Sequence, residues 1–577
     1  FGIDQMYPRS GGRRLTKSKI GAEISVGDKV VWSQEIQVTS DDPPASKVWR
    51  PIEPENGIRL APGDVLTLRT WLIEPSNFTP KKKGRIPVGF SGLTLERSQV
   101  VPHGRPSPEE PNVVLIVMDT LRADRLSCYG WPTATTPTLD ALAARGVLYE
   151  RAYSVSSWTW PSTASILTGL YPESHGVIND DACYLAPSLE TLPELLNSRG
   201  YVSAAFSGNP LITEEKNFGQ GLETFDSKIA FRKTSDLLPA MEKWLENNGL
   251  YRFFLYLHLV DPHAPHEPNQ RSLSMLEGDA PTDYPGPNGI AEYHHKLHQA
   301  RGRNPTRVVE VDEVIPAEHQ EWMKQLYTAS VATSDDYVAD VLDMLERHGV
   351  LENTVVIFTS DHGEELLEHG FATHGQGLWE SLMHIPLIIA GPGVRQGVRV
   401  EQRVSNRHIA PTVAKLGGAR FRDLEGAVDL LDLDALPDEP LFFSTLHGWW
   451  NGRNLIPIYA MRVGDWVLHY APTAKPQGRW KDPTAPVGDT RLFNLRNDPA
   501  EKNDLSASEP ERVERMRQAL LAHLKRAEAQ RPSFRMAAGS STLNMLKEIG
   551  YIGEDEEPES GVAPTENDPD EELDGQD

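Results

Sequence analysis

Residues 113–119, VVLIVMD, decide the fold. An unbroken apolar run shows no alternation of faces, so a strand here must be covered on both sides, and the acid that ends it sits where the strand leaves the core. Similar runs recur outward from it: YVSAAFS (201–207), FFLYLHLVD (253–261), TVVIFTSD (354–361) and IPLIIAG (385–391). Helical patterns separate them, among them TPTLDALAARG (136–146), ETLPELLNSRG (190–200) and DDYVADVLDMLERHG (335–349). Doubly covered strands joined by helical crossovers predict an α/β fold with a parallel-rich central sheet covered by helices. Such sheets bind ligands at the carboxyl ends of their strands, which singles out Asp119, His258, Asp261 and Asp361.

The flanks read differently. Residues 1–104 hold alternating runs such as KVVWSQEIQV and DVLTLRTWLI between turn residues, and predict an N-terminal β-sandwich. Residues 105–111 form a linker, and 112–430 the α/β domain. Residues 431–530 predict a small antiparallel sheet (LFFSTL, IYAMRVGDWVLHYA, TRLFNL) with one helix over PERVERMRQALLAHLKRAEAQ. Residues 531–577 are a largely disordered acidic tail, whose last 24 residues carry twelve acids and no base.

The formal charge of −25 over 577 residues is acidic even without that tail, which excludes a nucleic-acid surface, where a basic stripe is needed. A metal inside a negative protein fits better. Two cysteines, Cys128 and Cys183, make neither a disulfide framework nor a thiolate site. No apolar stretch is long enough to span a bilayer. The sequence begins at Phe1, which is compatible with loss of a leader, and an extracytoplasmic location, periplasmic or secreted, is favoured.

The nucleophile is sought in WTWPSTASILTG (158–169). Pro161 suits a first helical residue and Gly169 a left-handed stop, so Thr159 falls beside unpaired backbone N–H groups that attract an anion. A helix cap at Thr159 or Ser162 is the plainer reading. Asp119, Thr159, Asp361 and His362 can however be assembled into one metal site. Two carboxylates and an imidazole suit a divalent cation, zinc or manganese first and magnesium or calcium next, and coordination would lower the threonine pKa. His258, His263 and His374 are candidates to hold ester oxygens or protonate a leaving group, with His266 and His369 read as surface residues. Asp261 is a candidate for a second metal or for substrate, and Trp158, Trp160 and Asn209 for a substrate pocket.

NVVLIVMDTLRADRLSCYG, WTWPSTASILTGLYPESHGV, FFLYLHLVDPHAPHEP, VVIFTSDHGEE and RLFNLRNDPAEKNDL occur in one order over roughly residues 111–530. In this the chain resembles the sulfatase-like family of the alkaline phosphatase superfamily. The family's sulfatases read Cys or Ser, any residue, Pro, any residue, Arg, and convert the first to formylglycine; here the positions read Thr159, Trp160, Pro161, Ser162, Thr163. The resemblance is therefore to the threonine-nucleophile branch of phosphoethanolamine transferases and lipoteichoic acid synthases. It implies Asp119, Thr159, Asp361 and His362 as the metal set and His258, His263 and His374 as further site residues. It also implies a phosphoester hydrolase or phosphoryl-type transferase working through a phospho-threonine on an anionic ester, carried on a glycan or lipid. Two rivals stand beside it: a sulfuric ester hydrolase without formylglycine, and an inactive glycan- or lipid-binding protein whose aromatics, Trp449 and Trp450 included, hold the ligand.

Overall fold

The computed structural model describes residues 101–178, 183–301, 310–445, 457–472 and 489–532, and in the first hundred residues the strands Gly2–Ile3, Lys17–Val26, Lys29–Thr39, Val48–Trp49, Leu66–Glu74 and Val88–Gly89. The chain divides into two compact units, Phe1–Arg97 with Asp555–Asp577, and Ser98–Glu554. In the first, Lys17–Val26 pairs antiparallel with both Lys29–Thr39 and Leu66–Glu74. A shorter antiparallel set places Gly2–Ile3 between Val48–Trp49 and Val88–Gly89. The expected sandwich packing, the acidic tail and Trp449 and Trp450 fall outside the described residues.

The second unit is built on a nine-stranded sheet. Asn112–Met118 lies at its middle, parallel to Phe253–Leu259 on one side and to Thr354–Thr359 on the other. Val202–Ser207 extends the parallel part beyond Phe253–Leu259. Leu387–Ala390 runs antiparallel to Thr354–Thr359 and to Gly146–Tyr153, so the sheet is parallel-rich as expected, with antiparallel members that the apolar runs did not distinguish. An apolar run specifies burial on both faces, not direction.

Each face of the central strand has its own core. Val113, Leu115 and Val117 pack with Trp160 and Ile166, while Val114, Ile116 and Met118 pack with Leu237, Tyr327 and Val338 on the opposite face. Burying side chains of this size stabilises by about 1.5–3 kcal/mol each, which holds the strand and everything hung from its end. The helix Ala317–Arg347 covers one face, and its Asp335 accepts from the Thr138 and Leu139 N–H groups at 3.0 and 2.8 Å, capping the start of Pro137–Ala144. Leu192–Asn197 opens with a capping box between Thr191 and Glu194.

The C-terminal part matches expectation. Leu441–Thr445, Ile458–Val463, Trp466–Ala471 and Asp489–Asn494 form an antiparallel sheet in chain order. Pro510–Gln530 packs Met516 and Leu520 against Met461, Leu468 and Leu492. Neither Cys128 nor Cys183 forms a disulfide.

Candidate active site

Strand register assembles the site. Val117 is level with His258 on one neighbour and with Thr359 on the other, so Asp119 and Asp361 emerge side by side just past the carboxyl ends. The Asp119 N–H still donates to Leu259 O at 2.8 Å, which extends the ladder to the acid itself. Thr120 then turns left-handed at φ 58°, and its N–H donates to Asp361 Oδ1 at 3.3 Å. The His362 N–H donates to the same oxygen at 2.9 Å. Each acid is thereby fixed with one oxygen to spare: Asp119 Oδ1 and Asp361 Oδ2 are buried and accept no hydrogen bond, and His258 Nε2 is equally without a partner.

These atoms lie in one cluster with Asp119 Oδ2, which accepts from Asn209 Nδ2. His258 Nε2 lies 3.7 Å from Asp119 Oδ2 and 3.8 Å from Asp361 Oδ2. His362 Nε2 lies 3.8 Å from Asp119 Oδ1 and 3.5 Å from Asp361 Oδ2. His362 Nδ1 bonds to Gly363 O at 2.9 Å, where only an N–H can serve, so Nε2 keeps its lone pair. All four side chains are fully buried. Leaving buried polar atoms unpaired costs about 1–3 kcal/mol apiece, a cost that a bound cation removes. Burial pushes the Asp119 carboxyl up, but the His258 contact and the fields of His263 and His362 outweigh it and hold it far below the carboxylate range. Burial and then the Asp119 charge push Asp361 up instead. Two such acids side by side resist ionising together unless a positive charge lies between them. The residues present therefore fit a divalent cation.

Thr159 arrives from the next layer. Its helix, Thr159–Thr168, begins two residues before Pro161, so the proline occupies the third position and not the first. That is still within the turn whose N–H groups have no helical acceptor, which is why the proline is tolerated. Gly169 ends the helix at φ 75° as expected. Thr159 Oγ1 stands 3.3 Å from His362 Nε2. Ser162, the other hydroxyl considered, is committed to structure: its Oγ donates to Asp361 O at 2.6 Å and accepts from Asn406 Nδ2 at 2.8 Å.

Two more histidines pack beside His362. The His374 ring is 4.5 Å from His362 and 5.2 Å from His263, and Trp158 packs on it at 5.5 Å. His374 Nδ1 meets Glu364 Oε1 at 3.1 Å. Glu364 is buried, and burial together with the Asp119 charge pushes its carboxyl well up. The sequence reading missed it. The only signal was its place in DHGEE, beside a motif already chosen.

Several expectations need correction. His258, taken as a holder of ester oxygens, stands among the carboxylates, and Asp119, His258 and Asp361 form the described cluster able to hold a metal. Asp261 is outside it: the carboxyl accepts from the Thr234 hydroxyl and backbone N–H, capping Thr234–Asn248, with burial pushing its pKa up to about 6. Asn209 is buried, and its Nδ2 donates to Asp119 Oδ2 at 2.5 Å. Trp158 and Trp160 are buried, and Trp160 donates to Leu211 O at 2.8 Å. The binding-protein reading loses those two aromatics. His266 is buried, and His369 is half-buried against Glu365.

The profile described as Sulfatase matches residues 111–419, over half of the chain, from the first central strand to the helix after the last one. The chain belongs to the sulfatase family. Among relatives, arylsulfatase K of Bos taurus is 25% identical over 454 residues, covering 70% of this chain and 80% of that protein. A solved complex with its substrate D-glucosamine-2-N,6-O-disulfate superposes with a TM-score of 0.56 at 21% identity, over 73% of this chain and 98% of the other. The phosphonate monoester hydrolase of Agrobacterium radiobacter superposes equally, TM-score 0.56 at 20% identity, over 72% and 96%. This sulfatase-family chain is thus a hydrolase with the family's α/β fold, and Asp119, His258 and Asp361 offer the divalent metal that the family generally binds a possible site. No helix among the described residues is long and apolar enough to cross a membrane.

Proposed function

We propose that the chain is a metal-dependent hydrolase of anionic esters in which unmodified Thr159 is the nucleophile. The observation that carries this is the Thr159 hydroxyl at 3.3 Å from His362 Nε2, which itself faces both buried carboxylates. Asp119 and Asp361 would hold the cation with His258 and His362. A divalent cation supplies there the positive charge that lowers a hydroxyl pKa and offsets charge on ester oxygens. Thr159 Oγ1 attacks the sulfur or phosphorus, and the bond to the alcohol breaks. His374, held by Glu364, and His263 beside it would bind the nonbridging oxygens and protonate the departing alcohol. Water then cleaves the ester formed on Thr159.

Sulfate esters take precedence as substrate, because the relative and one solved neighbour are proteins of sulfate esters. A glycan carrier follows from that neighbour's sugar substrate, and an extracytoplasmic location would suit it. A phosphate or phosphonate ester is the second reading, favoured by residue 159: threonine cannot become formylglycine, and a threonine there is what the resemblance to phosphoethanolamine transferases and lipoteichoic acid synthases rests on. The test is one aryl alcohol offered as sulfate, phosphate monoester, phosphodiester and phosphonate. Thr159→Ala should lower the best rate by at least about 10³-fold, as loss of a nucleophile does. Undiminished turnover in that variant overturns the proposal, and the preferred ester decides between the two readings.

A further inference from the structure

Glu365–Leu366 pairs antiparallel with Ala372–Thr373, and the next rung of that hairpin joins Glu364 to His374. One end of the hairpin therefore enters the candidate site, while its tip, residues 367–371, meets the C-terminal subdomain. His369 Nε2 lies 3.0 Å from Ala500 O, and the His369 ring stacks on Trp379 at 4.1 Å and 10°. Trp379 stacks in turn on His469 of the strand Trp466–Ala471 at 4.8 Å, and His469 Nε2 meets Glu501 Oε1 at 3.0 Å. The other oxygen of Glu501 accepts from the Glu380 N–H at 2.7 Å. The hairpin needs such a hold. Leu367 and Thr373, neither of them glycine, are left-handed at φ 80° and 72°, a conformation that persists only where the surroundings over-determine it.

The His369 ring faces acceptors at both nitrogens, the Ala500 carbonyl at Nε2 and the buried Glu365 carboxylate at Nδ1, 3.1 Å away. A neutral imidazole has one N–H and satisfies one of them; the imidazolium satisfies both and lays a cation on the Trp379 face. We propose that His369 is a positioning residue for His374: as the imidazolium it locks the hairpin tip between Glu365, Ala500 and Trp379, and on losing its proton it releases the tip and with it the rung that holds His374. The surrounding charges agree. Burial favours the neutral ring and Lys502 repels a cation, but Glu365, by contact and by charge, and Glu501 outweigh them and raise the His369 pKa from an ordinary 6.5. Glu368 is engaged by Arg122 at 2.6 Å and Glu380 by Arg462 at 2.9 Å. The lock is thus complete below pH 6.5 and is lost as pH rises through the raised value.

The effect on turnover rests on the proposed hydrolase reading; the lock does not, so it is tested by hydrogen–deuterium exchange of the full chain without substrate. Peptides over 364–374 should exchange at least about 10-fold faster in His369→Gln than in the wild type at pH 6, the weight of a charge-assisted hydrogen bond, and within about 2-fold of it at pH 9.5. The same ratio at both pH values overturns the proposal, because lost packing alone does not depend on pH. The wild-type advantage in kcat should follow the same course, and an advantage equal at pH 6 and 9.5 refutes the link to His374. Should the variant misfold by circular dichroism, the wild type decides: corrected for intrinsic exchange, protection over 364–374 falls at least about 10-fold from pH 6 to 9.5 relative to the helix Ala317–Arg347, and a parallel change in both refutes the lock. Undiminished turnover in Thr159→Ala would sink the hydrolase reading and leave the exchange result standing.

Discussion

Asp119 is held by one side chain that was first read as substrate-facing. Asn209 Nδ2 donates to Asp119 Oδ2, and Asn209 Oδ1 is itself fixed by the Leu211 N–H at 2.7 Å. Asn209→Ala should therefore leave the fold intact and weaken zinc affinity by about 10–100-fold, the usual effect of removing a group that orients a metal ligand. Competition with a chromophoric chelator measures it; an unchanged affinity would mean Asn209 does nothing for the carboxylate. Residue types in the site were legible because acids and histidines stand at or just past the ends of the apolar strand runs. The partners of those residues were not. Asn209 and Glu364 become meaningful only once the fold brings Asn209 to Asp119 across 90 residues and turns the loop so that Glu364 meets His374, and Asp261, equally well placed by pattern, turned out to cap a neighbouring helix.

At the level of elements, the loop after Thr354–Thr359 is fixed by close backbone approach. The Gly363 N–H donates to Leu382 O at 2.7 Å, and a Cβ on Gly363 would collide with the Ser381 carbonyl oxygen. Gly363→Ala must shift either the loop or the turn before His384, at a cost of about 1–3 kcal/mol. The shift falls next to His362, so bound metal should drop along with Tm; full retention of both would refute the tight fit. The helix Thr159–Thr168 is braced differently. His175 Nε2 meets Pro161 O at 3.1 Å and Ser165 Oγ at 3.0 Å, while its Nδ1 accepts from the Val177 N–H at 3.1 Å. Burial lowers its pKa to about 3 from an ordinary 6.5. Below 6.5 the unfolded chain takes up a proton that the folded chain refuses, so stability present above that pH is lost as pH falls toward 3, by up to about 1.4 kcal/mol per unit. Urea midpoints at pH 7.5 and 5 should converge in His175→Gln relative to the wild type. An equally steep fall in the variant would show that other groups carry the acid lability, His523 among them, also at about 3 through burial. The helix itself was visible in the sequence; its start was not, because Pro161 fits any position of the first turn.

Over the whole molecule, the apolar runs established the sheet because burial on both faces leaves no other place for them, while the antiparallel course of Leu387–Ala390 depended on tertiary pairing that no local pattern carries. That sheet stores a conflict at its centre, two buried acids of which one is held ionised and the other pushed up. Metal removal should expose the conflict as lost stability. A ligand at about 100 times its dissociation constant stabilises the folded state by about 2.7 kcal/mol, so chelator should lower Tm by a few degrees and zinc restore it. Asp361→Asn separates repulsion from ligation. Its Oδ1 can still accept from the Thr120 and His362 N–H groups, and its amide can donate where Asp361 Oδ2 had nothing to accept. The stripped variant should consequently melt at or above the stripped wild type near pH 8, yet gain less when zinc is added, so the order of the two proteins reverses on loading. If the stripped variant is the weaker by as much as the loaded one, the acids are not in conflict and the case for a cation between them fails.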